Sequence, residues 1–469
     1  MKTLKLALIC LAAFGLILFS SNVFAKDTLV YGTTEKIIDM DPAKAYDFHT
    51  WEIFYNIYEG LLKYKIGTTE LVPGLAESYD IGGGGKEYTF KIREGLKFTD
   101  GSAFDANAVK WSIDRVFTTK SDPSWLVTDF VDRVDVVDKY TVKFVLKNPV
   151  AYFPSLVASV PYYPVNPNIY PADKVIRDPS ELKGGKLVGL GPYEVVSFKR
   201  DQEIVLDVNR NYWGEKPKND RIVIRYFADA TTMRLALEKG EVDFVFKTLN
   251  PSDIADLEKS TKIKTIKAQG PYIRYICFLT DTPPWNNPKL RQAVAAAVNR
   301  PKLIDKVFLG QNAPLYSMVP MGMWSHTDAF KAVHGDGNIE QSRRLLMEAG
   351  YSESNPLSFD FWYTPSHYGD TEVDIAAVLK NQFEATGMMK VNVKSAEWAA
   401  YRDNWANKVM PVWLLGWYPD YIDPDNYTSA FAGTAGSKGL GIHFSSSKWD
   451  QKLVEGQTAT DMDQRTRVY

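Results

Sequence analysis

Residues 370–415 read DTEVDIAAVLKNQFEATGMMKVNVKSAEWAAYRDNWANKVMPVWLL, and the change of period along them decides the fold class. Ile375, Val378, Leu379 and Phe383 recur at helical spacing, and Gly387 supplies a stop, so a helix is predicted over 370–386. Residues 390–394 alternate as a strand, 397–408 return to a helical pattern, and 410–415 form an apolar run suited to a buried strand. Helices and strands in alternation imply an α/β (mixed α+β) fold. The last run ends at Gly416 and opens into W-Y-P-D-Y-I-D-P-D-N-Y, residues 417–427. Pro419 and Pro424 restrict this backbone. A stiff loop with aromatic faces and carboxylates, at the carboxyl end of a strand, can grip a polar small molecule. The same composition also suits a solvated surface turn.

Outward from this segment the mixed pattern persists. Strands are predicted over 28–33 and 87–92, a hairpin over 135–146 with its turn near Asp138, and further strands within 191–227 and over 242–246. Helices are predicted over 50–62, over 105–117 with Asp105 as N-cap, over 231–239 before Gly240, and over 288–300. The Pro- and Asn-rich stretch 162–180 suits a crossover between domains. No internal repeat is present.

The N-terminus has the features of an export signal. Lys2 and Lys5 precede an apolar run over 6–19, and Val23-Phe24-Ala25 is a small-x-Ala cleavage site. The expectation is a signal peptide over 1–25, a mature chain from Lys26 and a periplasmic location; an uncleaved anchor is the alternative. Loss of two lysines from 55 basic residues leaves 53 against 57 acidic, a formal charge of −4. That balance argues against nucleic acid or an anionic membrane as the main partner. Cys277 is the one mature cysteine, so no intrachain disulfide can form. Five scattered histidines and this single cysteine give no reason to expect a metal site or cofactor. The 444 residues from 26 to 469 are too many for one core, and two or three domains are expected.

Enzyme motifs are missing. G-x-S-x-G and H-E-x-x-H do not occur. Gly189-Leu190-Gly191-Pro192 starts like a dinucleotide loop but has no third glycine, and the four-glycine turn at Gly82 to Gly85 lacks the Ser or Thr of a phosphate loop. Asp420, Asp423 and Asp425 do not follow the alternate ligand spacing of a calcium loop. Carboxylates on one loop are also poorly placed to straddle a glycosidic bond.

Separated segments together resemble one family, the extracellular solute-binding proteins of ABC importers, of the peptide/nickel/oligosaccharide type (family 5). The residues that carry the resemblance begin with Asp39-Met40-Asp41-Pro42, Asn56-Ile57-Tyr58-Glu59-Gly60-Leu61-Leu62 and Leu71-Val72-Pro73-Gly74-Leu75-Ala76-Glu77-Ser78-Tyr79. The most specific is Tyr88-Thr89-Phe90-Lys91-Ile92-Arg93-Glu94-Gly95-Leu96-Lys97-Phe98-Thr99-Asp100-Gly101. Gly191-Pro192-Tyr193, Asn211-Tyr212-Trp213-Gly214, Gly240-Glu241-Val242-Asp243 and Asn287-Pro288-Lys289-Leu290-Arg291-Gln292-Ala293-Val294 follow in order. The resemblance implies a multi-lobed periplasmic binding protein, not an enzyme, with two main lobes around a hinged cleft and an extra domain. Residues 26–65 and 188–266 would form lobe I, 66–187 lobe II and 267–469 lobe III. The implied partners are an oligopeptide or dipeptide and the ABC permease, and a monomer is expected.

The resemblance also implies site residues. In the family's peptide receptors an aspartate after W-x-x accepts the ligand's amino group, and the matching residue is Asp420 in Trp417-Tyr418-Pro419-Asp420-Tyr421. Trp398 resembles a tryptophan bordering the dipeptide site. Thr34 and Glu35, after the first strand, and His367 and Tyr368, after Pro365, are further contact candidates. Two departures stand out. No Lys or Arg lies between Phe361 and Leu379, so the arginine that dipeptide receptors use for the ligand carboxylate is missing from this element. The chain also stops at Tyr469 where the family pattern continues, so a C-terminal return to lobe I is expected to be missing. An oligosaccharide stacked on Trp398, Trp413 or Trp417 remains an alternative ligand, and an exported hydrolase an alternative class.

Overall fold

The computed structural model describes residues 27–365 and 367–469, so the expected signal peptide lies outside the described residues. Four sheets organise the chain. The first has the strand order Phe244–Val245, Thr28–Thr33, Arg221–Tyr226, Glu203–Val208, Tyr193–Lys199. Its first three strands are parallel and its last two pair antiparallel. The N-terminal strand thus lies among strands some 190 residues further on. The second sheet has the order Ile273–Phe278, Val412–Trp417, Leu357–Tyr363, Met389–Ser395, with only the first strand antiparallel to its neighbour. A third sheet of Ala76–Gly82, Glu87–Ile92, Thr141–Leu146 and Val131–Asp138 is wholly antiparallel. A small ribbon joins Leu62–Tyr64 to Leu71–Pro73.

The alternation seen in the sequence is the alternation of burial. Tyr88, Phe90 and Ile92 point inward from one strand and Val142, Phe144 and Leu146 from its neighbour, while the residues between them are more exposed. Val412, Trp413, Leu414 and Leu415 are all buried, as a strand covered on both faces requires. One large core runs from Tyr31 to Ile224 and includes a single distant residue, Tyr421. Separate clusters cover the two faces of the second sheet. This is the mixed α/β, multi-lobed architecture expected.

Some element limits differ from expectation. The helix predicted over 50–62 is Phe48–Ile57, capped by Asp47 and ended where Tyr58 turns extended. The strand predicted over 242–246 keeps only Phe244–Val245, which pair with Tyr31 and Gly32. The helix predicted over 288–300 stops at Ala297, because Val298 is extended and Asn299 caps a new helix, Arg300–Phe308. The strand predicted over 410–415 is shifted to Val412–Trp417, since Pro411 has no amide hydrogen and pairing continues through Trp417 to Ile273.

Asp41, in the Asp-Met-Asp-Pro segment, is fully buried against Arg115 of the helix Ala106–Thr119. The guanidinium grips both carboxylate oxygens, at 2.8 and 2.5 Å, and also donates to the carbonyls of Pro171 and Lys174. Removing one member strands the other charge in the core. Arg115→Met should therefore lower unfolding free energy by roughly 3–5 kcal/mol in urea titrations. A loss below about 1 kcal/mol, the range of an exposed pair, would contradict this role.

Candidate functional site

Loops at the carboxyl ends of the parallel strands of the first and second sheets meet: Tyr46 reaches Asp420, and Phe48 and Lys247 reach Tyr418. From the first sheet come Thr34 and Glu35 after Thr28–Thr33, Lys247 after Phe244–Val245, and the helix Phe48–Ile57. From the second come Tyr418 to Asp420 after Val412–Trp417, His367 and Tyr368 after Leu357–Tyr363, and Trp398 after Met389–Ser395. Tyr272 and Arg274 join them, because their strand runs antiparallel and begins at the same end.

Asp420 is buried, and a Tyr46 hydroxyl from the opposite side donates to its Oδ1 at 2.8 Å. Asn426 accepts from the Asp420 amide at 3.1 Å and donates to Oδ2 at 3.4 Å. Burial pushes the Asp420 carboxyl up to about 6 against the pull of these hydrogen bonds. Tyr418 is sandwiched between Tyr272, at 4.1 Å between ring centres, and Phe48 at 4.4 Å, and Lys247 lies over its ring at 5.5 Å. The expected loop grip is therefore a contact between the two sides.

Trp417 points elsewhere. Its Nε1 donates to Asn426 Oδ1 at 2.9 Å and its ring packs against Phe431 in the cluster behind the loop. It braces the residue that orients Asp420. Trp398 stacks on His367 at 3.6 Å and meets Tyr368 edge-on at 5.7 Å, forming an aromatic wall. Trp413 is fully buried and cannot stack on a sugar. Thr34 is half-buried beside Glu35 at the end of its strand. Asp423 and Asp425 serve the loop itself. Asp423 takes both nitrogens of Arg465 at 2.7 and 3.0 Å, and Asp425 accepts from the hydroxyls of Tyr421, Ser429 and Tyr469.

Two cations in the cleft escaped sequence reading. Arg274 lies flat on Tyr368, 3.6 Å from its ring centre, and pairs with the buried Glu372. Its Nη1 is buried without an acceptor, and Glu372 Oε2 is buried without a donor. Burial raises the Glu372 carboxyl to about 7 although Arg274 pulls it down. Arg274 stands opposite Gly416 across the strand pair. A Cβ there would lie 2.5 Å from Tyr272 Oη and 2.8 Å from Arg274 Nη1, so both side chains depend on that glycine. An arginine inside the apolar run Tyr272-Ile273-Arg274-Tyr275-Ile276 was the available signal.

Lys247 adopts a left-handed backbone, φ 62°, and its ammonium is 2.5 Å from Glu52 and 3.8 Å from Glu35. Burial holds the Glu35 carboxyl above its usual range despite Lys247 and His49. Burial also acts upward on Glu52, where His49 and Lys247 outweigh it and bring the carboxyl below its usual range.

The sequence model described as "Bacterial extracellular solute-binding proteins, family 5 Middle" matches residues 70–439. The heme-binding protein A of Haemophilus influenzae is 29% identical over 95% of this chain and 84% of its own length. The dipeptide-binding protein of Escherichia coli is 29% identical over 88% of this chain and 79% of its own. Among solved structures, an ABC transporter-associated periplasmic binding protein from Helicobacter pylori in complex with the peptide STSA superposes with a TM-score of 0.78 at 25% identity, covering 94% and 88% of the two chains. With its family segments in order and the family's sequence model spanning most of its length, the chain belongs to the family 5 extracellular solute-binding proteins.

Proposed function

We propose that this chain is the exported capture subunit of an ABC importer and that it takes short peptides with a free amino terminus. One observation carries the reading. Asp420 is a carboxylate removed from water whose partners are a hydroxyl and amides, all neutral. A ligand ammonium supplies the charge that site lacks, in a dry place where such a pair is strong. Arg274, with one buried nitrogen unpaired, offers a second pole for a peptide carbonyl or carboxylate and takes the place of the arginine missing after Pro365. Tyr272, Tyr368, Tyr418 and Trp398 line the space with flat faces that accept varied side chains. Names of relatives agree with this substrate class.

The lobe limits fit the same reading: residues 26–65 with 188–266 on one side, 267–469 on the other, and 66–187 as the extra lobe. The two sides close by a hinge, and the permease recognises the closed form. Cleavage after Ala25 releases the chain to the periplasm. Among the described residues no helix is long and apolar enough to cross a membrane.

A thermal-shift screen with peptide and oligosaccharide libraries tests the class, since a ligand at 100 Kd stabilises the fold by roughly 2.7 kcal/mol. Asp420→Ala should weaken peptide binding at least about tenfold in calorimetry, the worth of one charge-assisted hydrogen bond. Unchanged affinity would contradict the amino-group role and favour a sugar.

The raised carboxyl gives a pH signature. Below about 6 the free protein holds a proton on Asp420 that must leave before an ammonium can pair. Peptide affinity should fall roughly tenfold per pH unit below that point and level off above about 7. A flat profile across this window would contradict the assignment.

Glu372 gives a second one. Its carboxyl is raised in the folded state, so ionising it costs stability as pH rises through about 7. Arg274→Met removes the cation that limits this cost. Its destabilisation should be larger near pH 8 than near pH 5, and Glu372→Gln in the same chain should abolish the difference. Equal losses at both pH values would show that Arg274 does not neutralise Glu372.

A further inference from the structure

Three potential ligand atoms converge beside the cleft. Glu35 follows the strand Thr28–Thr33, and His49 and Glu52 lie one turn apart on the helix Phe48–Ile57. His49 Nδ1 stands 3.7 Å from Glu35 Oε2 and 3.8 Å from Glu52 Oε2. The imidazole is only 3% exposed, and its Nε2 is held by the Tyr226 hydroxyl at 3.0 Å. That bond fixes the ring with Nδ1 aimed between the carboxylates, where neither Nδ1 nor Glu35 Oε2 has a hydrogen-bond partner. In the tautomer whose Nε2–H donates to the Tyr226 hydroxyl, the Nδ1 lone pair converges with the carboxylate oxygens, which is costly in a buried place unless a cation meets them. The three ligand atoms lie within 4.8 Å of one another, so small rotations of the two glutamates bring all of them to about 2.0–2.2 Å from one ion. A cavity of about 370 Å³ lined by Tyr31, His49, Glu52, Phe244 and Phe246 gives access.

We propose that Glu35, His49 and Glu52 bind a divalent transition cation of the zinc class, and that Lys247 is the internal cation it displaces. One imidazole nitrogen with two carboxylate oxygens suits zinc, whereas magnesium and calcium prefer oxygen alone. The Lys247 ammonium already sits against both carboxylates and holds their charge when no ion is bound. The site needs no peptide, so it stands or falls apart from the function proposed above.

The test is titration of the chelator-stripped mature chain with Zn²⁺ by calorimetry, and with Co²⁺ by visible absorption. One ion per chain is expected. His49→Ala should weaken binding roughly a hundredfold and Glu35→Gln roughly tenfold, since each removes a ligand. Lys247→Met should tighten binding roughly tenfold, because no ammonium then competes. If His49→Ala fails to fold, the opposite shifts of Glu35→Gln and Lys247→Met decide the matter. The absence of one-to-one binding, or an affinity that Glu35→Gln and Lys247→Met both leave unchanged, would overturn the proposal.

Discussion

A carboxylate in a dry cleft needs a scaffold that holds it there, and the loop after Val412–Trp417 is pinned on both sides for that purpose. Behind it, Trp417 anchors Asn426, which holds both the amide and the carboxylate of Asp420. In front, Tyr421 enters the large core of the other half and stacks on Tyr152 at 4.9 Å, with the rings 3° from parallel. The Ile422 amide donates to Tyr64 Oη at 3.2 Å, and Asp423 is clamped by Arg465. The residues on either side of Asp420 are thus committed to packing, which fixes the position of the carboxylate.

Around it the cleft has few free charges. Arg274 is matched by Glu372, and Lys247 by Glu35 and Glu52. The first pair leaves two buried polar atoms without a hydrogen-bond partner, Arg274 Nη1 and Glu372 Oε2, and the second leaves Glu35 Oε2. Complete pairing would make an inert wall, and full exposure would let water compete. Partial pairing leaves unsatisfied polar atoms that the proposed ligand groups would meet.

The fold class was legible because its signals are local. The period of Ile375, Val378, Leu379 and Phe383, and the alternation of Tyr88, Phe90 and Ile92, follow from which face each element buries. Element ends were less legible where a single residue such as Pro411 or Val298 sets them. Within the site, Asp420 could be found because a short run of neighbours carries it. Arg274 showed only as a charge inside an apolar run, with its partner 98 residues away, and Lys247 could not be found, because its partner lies 195 residues away. Nor could the meeting of His49 with Glu35, since only the pairing of the first strand with its neighbours fixes the helix that carries the imidazole. Trp417 shows the reverse case: the motif marks it as a contact, and the fold turns it inward as a brace.

Family membership rests on the match over residues 70–439, and the proposed ligand rests on the charges around Asp420 and Arg274. Whether Asp420 meets an ammonium is decided by varying only that group. Calorimetry should compare one tripeptide with its N-acetylated twin on the unaltered protein. Acetylation should weaken binding by roughly a hundredfold or more, because a buried carboxylate then faces an uncharged amide. Equal affinity of the two peptides would contradict an ammonium at Asp420.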